Sequence, residues 1–207
     1  MIDTKTPKKT FDQAFTPFFE LIKNYPSFRR LWIAQAISNF GDWFGLLALY
    51  ALVQRFSDSE FLLGLVIIVK MLSLAFFSPI AGYLTDRFNR RLLMIICDGG
   101  RAVSLLLMLL VQHESLLWIA YALTSFQMML SAIFEPAKTA SIPNVTPSER
   151  LVDANIISTA TWSIIFTTGM AIGGFATKWI GVEAVFVLDA LSYLVSAWFI
   201  YLSLIHI

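Results

Sequence analysis

The stretch FLLGLVIIVKMLSLAFFSPIAGYL, Phe61 to Leu84, holds a single charged residue, Lys70. It is long enough to cross a bilayer core of about 30 Å as one α-helix. Similar apolar runs begin near Leu31, Leu92, Leu116, Ile156 and Ala184. Six such runs exclude a soluble domain, which would break them with polar faces. Open strands cannot satisfy their backbone in lipid, and no alternating pattern stands out, so an all-α membrane bundle is expected. The composition agrees: 57% hydrophobic against 14% charged residues, with mean hydropathy +0.72. A net charge of +1 gives no sign of a nucleic-acid partner. The partners expected are the bilayer itself and a small-molecule substrate.

Orientation follows from the basic residues. Lys5, Lys8, Lys9, Lys23, Arg29 and Arg30 precede the first run. Arg87, Arg90 and Arg91 separate the second from the third, and Lys138 and Arg150 the fourth from the fifth. The alternate loops hold Arg55 and Lys178. Basic loops stay in the cytoplasm, so both ends of the chain are expected there, in a multi-pass membrane protein. The charged lead-in is too long for a signal peptide. Lone Cys97 suits a helix interior, and His113 and His206 fall at opposite membrane ends, so neither a disulfide nor a metal centre is expected. No cofactor is expected.

Two domains are read: a cytoplasmic segment, residues 1–27, and a six-helix body, residues 28–207. In the first, Phe11, Phe15, Phe18 and Ile22 recur at helical spacing, which suits an amphipathic surface helix ended by Pro26; a loose tail is the alternative. In the body, short connections lead one to expect sequence neighbours packed antiparallel. The segment Glu135–Asn155, with Pro136, Pro143 and Pro147, reads as a long inner connection. Ala36–Phe40 resembles Ala122–Phe126, a hint of two inverted three-helix repeats. The chain stops after the sixth span without a polar tail, and Leu202–Ile207 resembles translated cloning-adapter sequence. A fragment is therefore expected, inactive alone.

Ionisable residues within spans are costly, about 2.5–3.5 kcal/mol on insertion scales, and usually face an interior or a cavity. Gln35, Ser38, Asn39 and Asp42 form one polar stripe. It suits a transport pathway or, alternatively, a packing network. Lys70 lies at a depth close to that of Asp42 and could pair with it; otherwise its stem snorkels outward. Thr124, Gln127 and Ser131 share one face, as do Asp189, Ser192 and Ser196, although Asp189 also suits a wet outer interface. The candidate pathway is thus Gln35, Asn39, Asp42, Lys70, Gln127 and Asp189. Gly169, Gly173 and Gly174 are candidates for close helix packing.

The most specific stretch is Gly82-Tyr83-Leu84-Thr85-Asp86-Arg87-Phe88-Asn89-Arg90-Arg91. Its arginines can bind carboxylates of neighbouring helices. With Asp98 and Arg101 they make a candidate cytoplasmic gate of Gly82, Asp86, Arg87, Arg90, Arg91, Asp98 and Arg101; the alternative is a set of topology signals. The stretch resembles the signature loop of the major facilitator superfamily, Gly-x-Leu-x-Asp-Arg-x-Gly-Arg-Arg between helices two and three. Asn89 replaces its glycine, and an αL turn is expected there. Arg30-Leu31-Trp32, Ser38 to Trp43, Phe134 to Ala137, Ile142-Pro143, Glu149-Arg150-Leu151 and Ala154-Asn155 resemble the drug-exporter branch that contains macrolide-efflux and enterobactin-exporter proteins. Gly169, Gly173 and Gly174 resemble the antiporter pattern of helix five, with Met170 where that pattern carries proline.

The resemblance implies the N-terminal half of a twelve-helix secondary transporter, with a missing C-terminal six-helix half as partner. It further implies proton-driven efflux of lipophilic or amphipathic compounds across a bacterial inner membrane; the ionisable residues, spread over separate helices without a nucleophile–base spacing, lead one to expect no enzyme chemistry. Uptake or lipid flipping on the same fold is the first rival; a scaffold or a membrane-embedded enzyme is the second.

Overall fold

The structure, a computed structural model, describes residues 11–203, with side chains from residue 18 onward. Lys5, Lys8, Lys9 and His206 lie outside the described residues, as do the side chains of Phe11 and Phe15. All the regular elements among the described residues are helical. A short helix α1 (Phe11–Asn24) precedes six long ones: α2 (Pro26–Phe56), α3 (Glu60–Arg87), α4 (Arg90–Met108), α5 (Leu117–Val145), α6 (Leu151–Ile180) and α7 (Val182–Ser203).

Local chemistry sets the boundaries. Pro26 stands in the first turn of α2, where its missing N–H and fixed φ cost nothing. Asn89 caps α4, its side chain accepting from the Leu92 amide at 3.1 Å. Its backbone is extended, φ −62° and ψ 114°, so the expected αL turn is not formed; the side chain's capping bond selects the extended form. Gly181, at φ +86°, ends α6 and lets α7 begin at the next residue.

Among the described residues, five helices are long and apolar enough to cross a membrane. The one left out of the six is α4, which carries Arg90, Arg91, Asp98 and Arg101 in its 19 residues. At 1.5 Å per residue it still spans about 29 Å, and it packs between α5 and α7 like its neighbours.

The inner segment expected as a connection is mostly helix. α5 runs through Pro136 and Pro143 to Val145. Phe134, Ala137, Ile142 and Val145 are buried there, and this tertiary packing overrides the proline signal.

Packing between sequence neighbours is also not as expected. Only α4 and α5 pack extensively; the other extensive pairs are α2–α7, α2–α6, α3–α5 and α4–α7. The pattern has an internal symmetry. Exchanging α2, α3, α4 with α5, α6, α7 maps α2–α7 onto α4–α5, maps α3–α5 onto α2–α6, and leaves α4–α7 unchanged. Two three-helix repeats therefore interlock, each placing its first helix against the other's second and third. The similar pentapeptides Ala36–Phe40 and Ala122–Phe126 lie on the exchanging helices α2 and α5.

The buried apolar residues fall into two clusters. One, around Leu52, Met108 and Phe186, lies toward the end where Arg55 pairs with Glu183. The other, around Phe28, Met94, Phe134 and Ile200, lies toward the opposite end. Asn39, Asp98, Arg101, Gln127 and Ser196 are buried between them, so the core is interrupted at mid-height by a polar layer.

Candidate functional site in the polar layer

On α2, the stripe Gln35, Ser38, Asn39 and Asp42 turns into the bundle; the first three are buried and Asp42 is half-buried. Asn39 Nδ2 has no hydrogen-bond partner. Tyr193 of α7 donates its hydroxyl to Asp42 Oδ1. Asp42, Lys70, Gln127, Asp189 and Tyr193 all line one cavity of about 20 Å³. That is room for about one water molecule. Its apolar walls include Leu49, Leu105 and Met108. Five helices thus contribute to one enclosure, and four of the six pathway candidates line it. Gln35 and Asn39 share the stripe but stand outside it.

Asp189 is 3% exposed, so the alternative of a wet interfacial carboxylate does not hold. Two glycines of α2 make its place. A Cβ at Gly45 would overlap Asp189 Oδ2, and one at Gly41 would overlap Asp189 Oδ1 and Ser192 Oγ. Ser192 Oγ donates to the Asp189 carbonyl at 2.8 Å and lies 3.3 Å from Asp189 Oδ1. The expected Asp42–Lys70 ion pair is not formed: among the described residues, Asp42, Lys70 and Asp189 take part in none. The reason is architectural, since α2 and α3 touch little and α3 packs instead on α5.

Asp98 and Arg101 belong to this layer rather than to the signature loop. Arg101 Nη2 lies 2.5 Å from Asp98 Oδ1, with both residues almost fully buried. Its guanidinium lies 4.3 Å from the Phe134 ring centre and 4.5 Å from that of Tyr193. At these distances the cation makes cation–π contacts with both rings. A continuous chain Asp42–Tyr193–Arg101–Asp98 therefore links α2, α7 and α4. Tyr193 and the Gly41/Gly45 pair are the residues that sequence reasoning missed. Signals existed: Tyr193 stands four residues after Asp189, on the same helix face, and the two glycines are four apart.

The loop residues do something else. Arg87 donates to the Tyr83 hydroxyl. Arg90 donates to the Ala140 carbonyl at 2.8 Å, and Arg91 lies 4.4 Å from the Tyr201 ring centre. Asp86 is exposed, and no carboxylate among the described residues pairs with these arginines. Nothing lies within 4 Å of a Cβ at Gly82, so no close approach occurs there.

The glycines of α6 divide. A Cβ at Gly169 would stand 3.0 Å from Trp43 Cβ, and one at Gly173 2.9 Å from both Phe44 Cδ1 and Leu47 Cδ1, so these two sit in the α2–α6 contact. Gly174 has no such neighbour and faces away.

The profile of the Major Facilitator Superfamily matches residues 31–206, nearly the whole helical body. The chain belongs to this superfamily. Among curated relatives, it is 28% identical to the uncharacterized MFS-type transporter YfiS of Bacillus subtilis, over 86% of this chain and 42% of the relative. It is 31% identical to the multi-drug resistance efflux pump PmrA of Streptococcus pneumoniae, over 62% and 31% respectively. It is 27% identical to the lysophospholipid transporter LplT of Photorhabdus laumondii, over 71% and 35%. The chain thus spans under half the length of the curated relatives it matches. No solved structure matches it. Family and helices together make this a multi-pass membrane protein of a transporter family.

Proposed function

We propose that this chain is the N-terminal half of a proton-coupled exporter of lipophilic or amphipathic small molecules. The observation that carries the reading is the polar cavity at mid-height, where two carboxyl groups without ion-pair partners meet Lys70, Gln127 and Tyr193. Buried ionisable groups of this kind mark substrate and proton routes in membranes. A similar protein named as a multi-drug efflux pump supports the exporting direction.

The basic residues support an orientation. Arg30 reaches the Leu202 carbonyl, Arg90 that of Ala140, and Arg150 pairs with Glu20, so these lie together at one end of the bundle. Arg55 lies at the other, paired with Glu183. The richly basic end is proposed to face the cytoplasm of a bacterial cell, with alternating access produced by rocking of two six-helix halves. No enzymatic role is proposed.

The test is dye export by everted membrane vesicles containing the full-length protein, with the proton gradient intact and then collapsed. Export that stops on collapse is expected; export indifferent to the gradient would refute proton coupling. Similarity to a lysophospholipid transporter favours a second reading, lipid movement on the same fold. Fluorescent lysophospholipid translocation in the same vesicles, without dye export, would select it.

A further inference from the structure

The short helix α1 is apolar on two sides. Leu21 is fully buried against the bundle, and Phe18 meets the Trp32 ring edge-on, with ring centres 6.0 Å apart. Trp32 in turn donates its indole N–H to Thr161 of α6 at 2.9 Å. Glu20 pairs at 2.6 Å with Arg150, just before α6. α1 therefore leans back along the starts of α2 and α6 and does not project away from them. Phe19 points elsewhere: two residues from Leu21 it lies about 200° around the helix, and it is 65% exposed.

Depth and charge decide what covers that second side. At 1.5 Å per residue the 31 residues of α2 run about 46 Å, against a hydrocarbon core of about 30 Å, so its ends reach the lipid headgroups. Trp32 lies less than two turns further in, a depth that suits the tryptophans of a membrane interface. Lys23, exposed in the last turn of α1, follows Phe19 by four residues on the same face. Arg29 comes to the same place from α2, donating to the Ile22 carbonyl at 3.4 Å with one of its five N–H groups. Among the described residues, neither Lys23 nor Arg29 takes part in an ion pair. An exposed phenylalanine with two such cations nearer the water matches hydrocarbon and phosphate stacked one above the other.

We propose that the Phe19–Lys23 face of α1, together with Arg29, is a binding surface for anionic phospholipid at this end of the bundle. Phe19 enters the acyl boundary, and Lys23 and Arg29 hold the headgroup phosphate. The other side of α1 stays on α2 and α6, so a bound lipid fixes the entry of both helices at the membrane surface. Lipid binding here is independent of what the protein carries.

The test uses the full-length protein in nanodiscs of mixed phosphatidylcholine and phosphatidylglycerol. Phe19→Cys, in a background freed of other cysteines including buried Cys97, carries an environment-sensitive nitrobenzoxadiazole label. Short-wavelength emission is expected. Each basic residue near an anionic surface is worth about fivefold in binding, so nitroxide-labelled phosphatidylglycerol should quench the label several-fold more than nitroxide-labelled phosphatidylcholine. Lys23→Glu should bring the two lipids near parity. Equal quenching before that change, or an undiminished preference after it, would overturn the proposal. So would emission as in water, which takes α1 away from the bilayer, or short-wavelength emission quenched by neither lipid, which means that protein covers this face. A second measurement leaves Phe19 in place. Detergent-purified protein mixed with equal amounts of the two lipids should retain more phosphatidylglycerol than K23E does, counted by native mass spectrometry; equal retention by the two proteins would likewise overturn it.

Discussion

The polar layer and the signature loop carry similar residues in opposite circumstances. In the layer, Asp98, Arg101 and Asp189 are buried and Asp42 is half-buried; Asp98 and Arg101 pair within α4, while Tyr193 of α7 reaches both Asp42 of α2 and Arg101 of α4. In the loop, Asp86 and Arg87 are exposed, and Arg90 and Arg91 bond or stack within the same bundle without meeting a carboxylate. Enclosed charges have no water to fall back on, so each change there must alter its neighbours. Exposed charges can be solvated, so their changes should act on rates of motion. The difference predicts a gradient of mutational effects, steepest at mid-height.

The largest effect is expected at Asp42. Asp42→Asn keeps the hydrogen bond from Tyr193 and removes the titratable charge. Gradient-driven export by the full-length protein should fall by about tenfold or more, while membrane insertion stays normal. Unchanged export would take Asp42 out of the mechanism and level the contrast between the two regions.

Next comes Gly45. In Gly45→Leu the new side chain occupies the place of the Asp189 carboxyl. Overpacking of this kind costs about 1–3 kcal/mol, so the purified protein should melt several degrees lower and lose most of its export. Gly174→Leu on α6 is the matched comparison, since nothing lies within 4 Å of its Cβ position. Equal melting points for the two variants would mean that the glycine cradle is not tight.

These residues also show how far the sequence could be read. The helical body was legible, because six apolar runs leave lipid-spanning helices as the only way to satisfy the backbone. The convergence of Asp42, Lys70, Gln127 and Asp189 was partly legible, because a costly ion in an apolar run announces itself one residue at a time. Their partners were not. The four-residue step from Asp189 puts Tyr193 on the same face of α7, but what that face meets is decided by α7 lying on α2. Helix order in space was misread for the same reason: short connections limit where the next helix starts, but interlocking of the repeats decides what it touches. Asp98 and Arg101 were drawn to the loop by closeness in sequence, whereas about three helical turns from Arg90 to Arg101 carry the guanidinium to mid-height.

Arg101→Lys should have an intermediate effect. The charge near Asp98 survives, but the broad guanidinium that lies close to both Phe134 and Tyr193 does not. A compact ammonium cannot reach both rings and Asp98 as the guanidinium does, so weakening of contacts each worth about 0.5–2 kcal/mol should lower the maximal export rate several-fold with little change in KM. A change in KM alone would mean that Arg101 contacts substrate and does not act through Tyr193.

The loop should respond more mildly. Asp86→Ala is expected to change the rate of conformational exchange by two- to fivefold, about 0.5–1 kcal/mol on a barrier, and to leave affinity alone. Single-molecule distance measurements across the full-length protein would report the exchange. A pure affinity defect would remove Asp86 from any gate.

The smallest effect marks the far end of the gradient. Arg55 pairs with Glu183 at 2.5 Å and ties the end of α2 to the start of α7, yet the two side chains are 43% and 59% exposed. Pairs this open typically contribute about 0.2–1 kcal/mol, and salt screens them. Arg55→Ala should therefore shift melting by no more than a degree or two and leave export within experimental scatter, in low salt and high. A short ion pair on the surface would then matter less than the Tyr193–Asp42 bond at mid-height, although both join α2 to α7. If Arg55→Ala instead disabled export, depth in the bundle would not be what ranks these charges, and the end that carries Arg55 and Glu183 would itself have to move during transport.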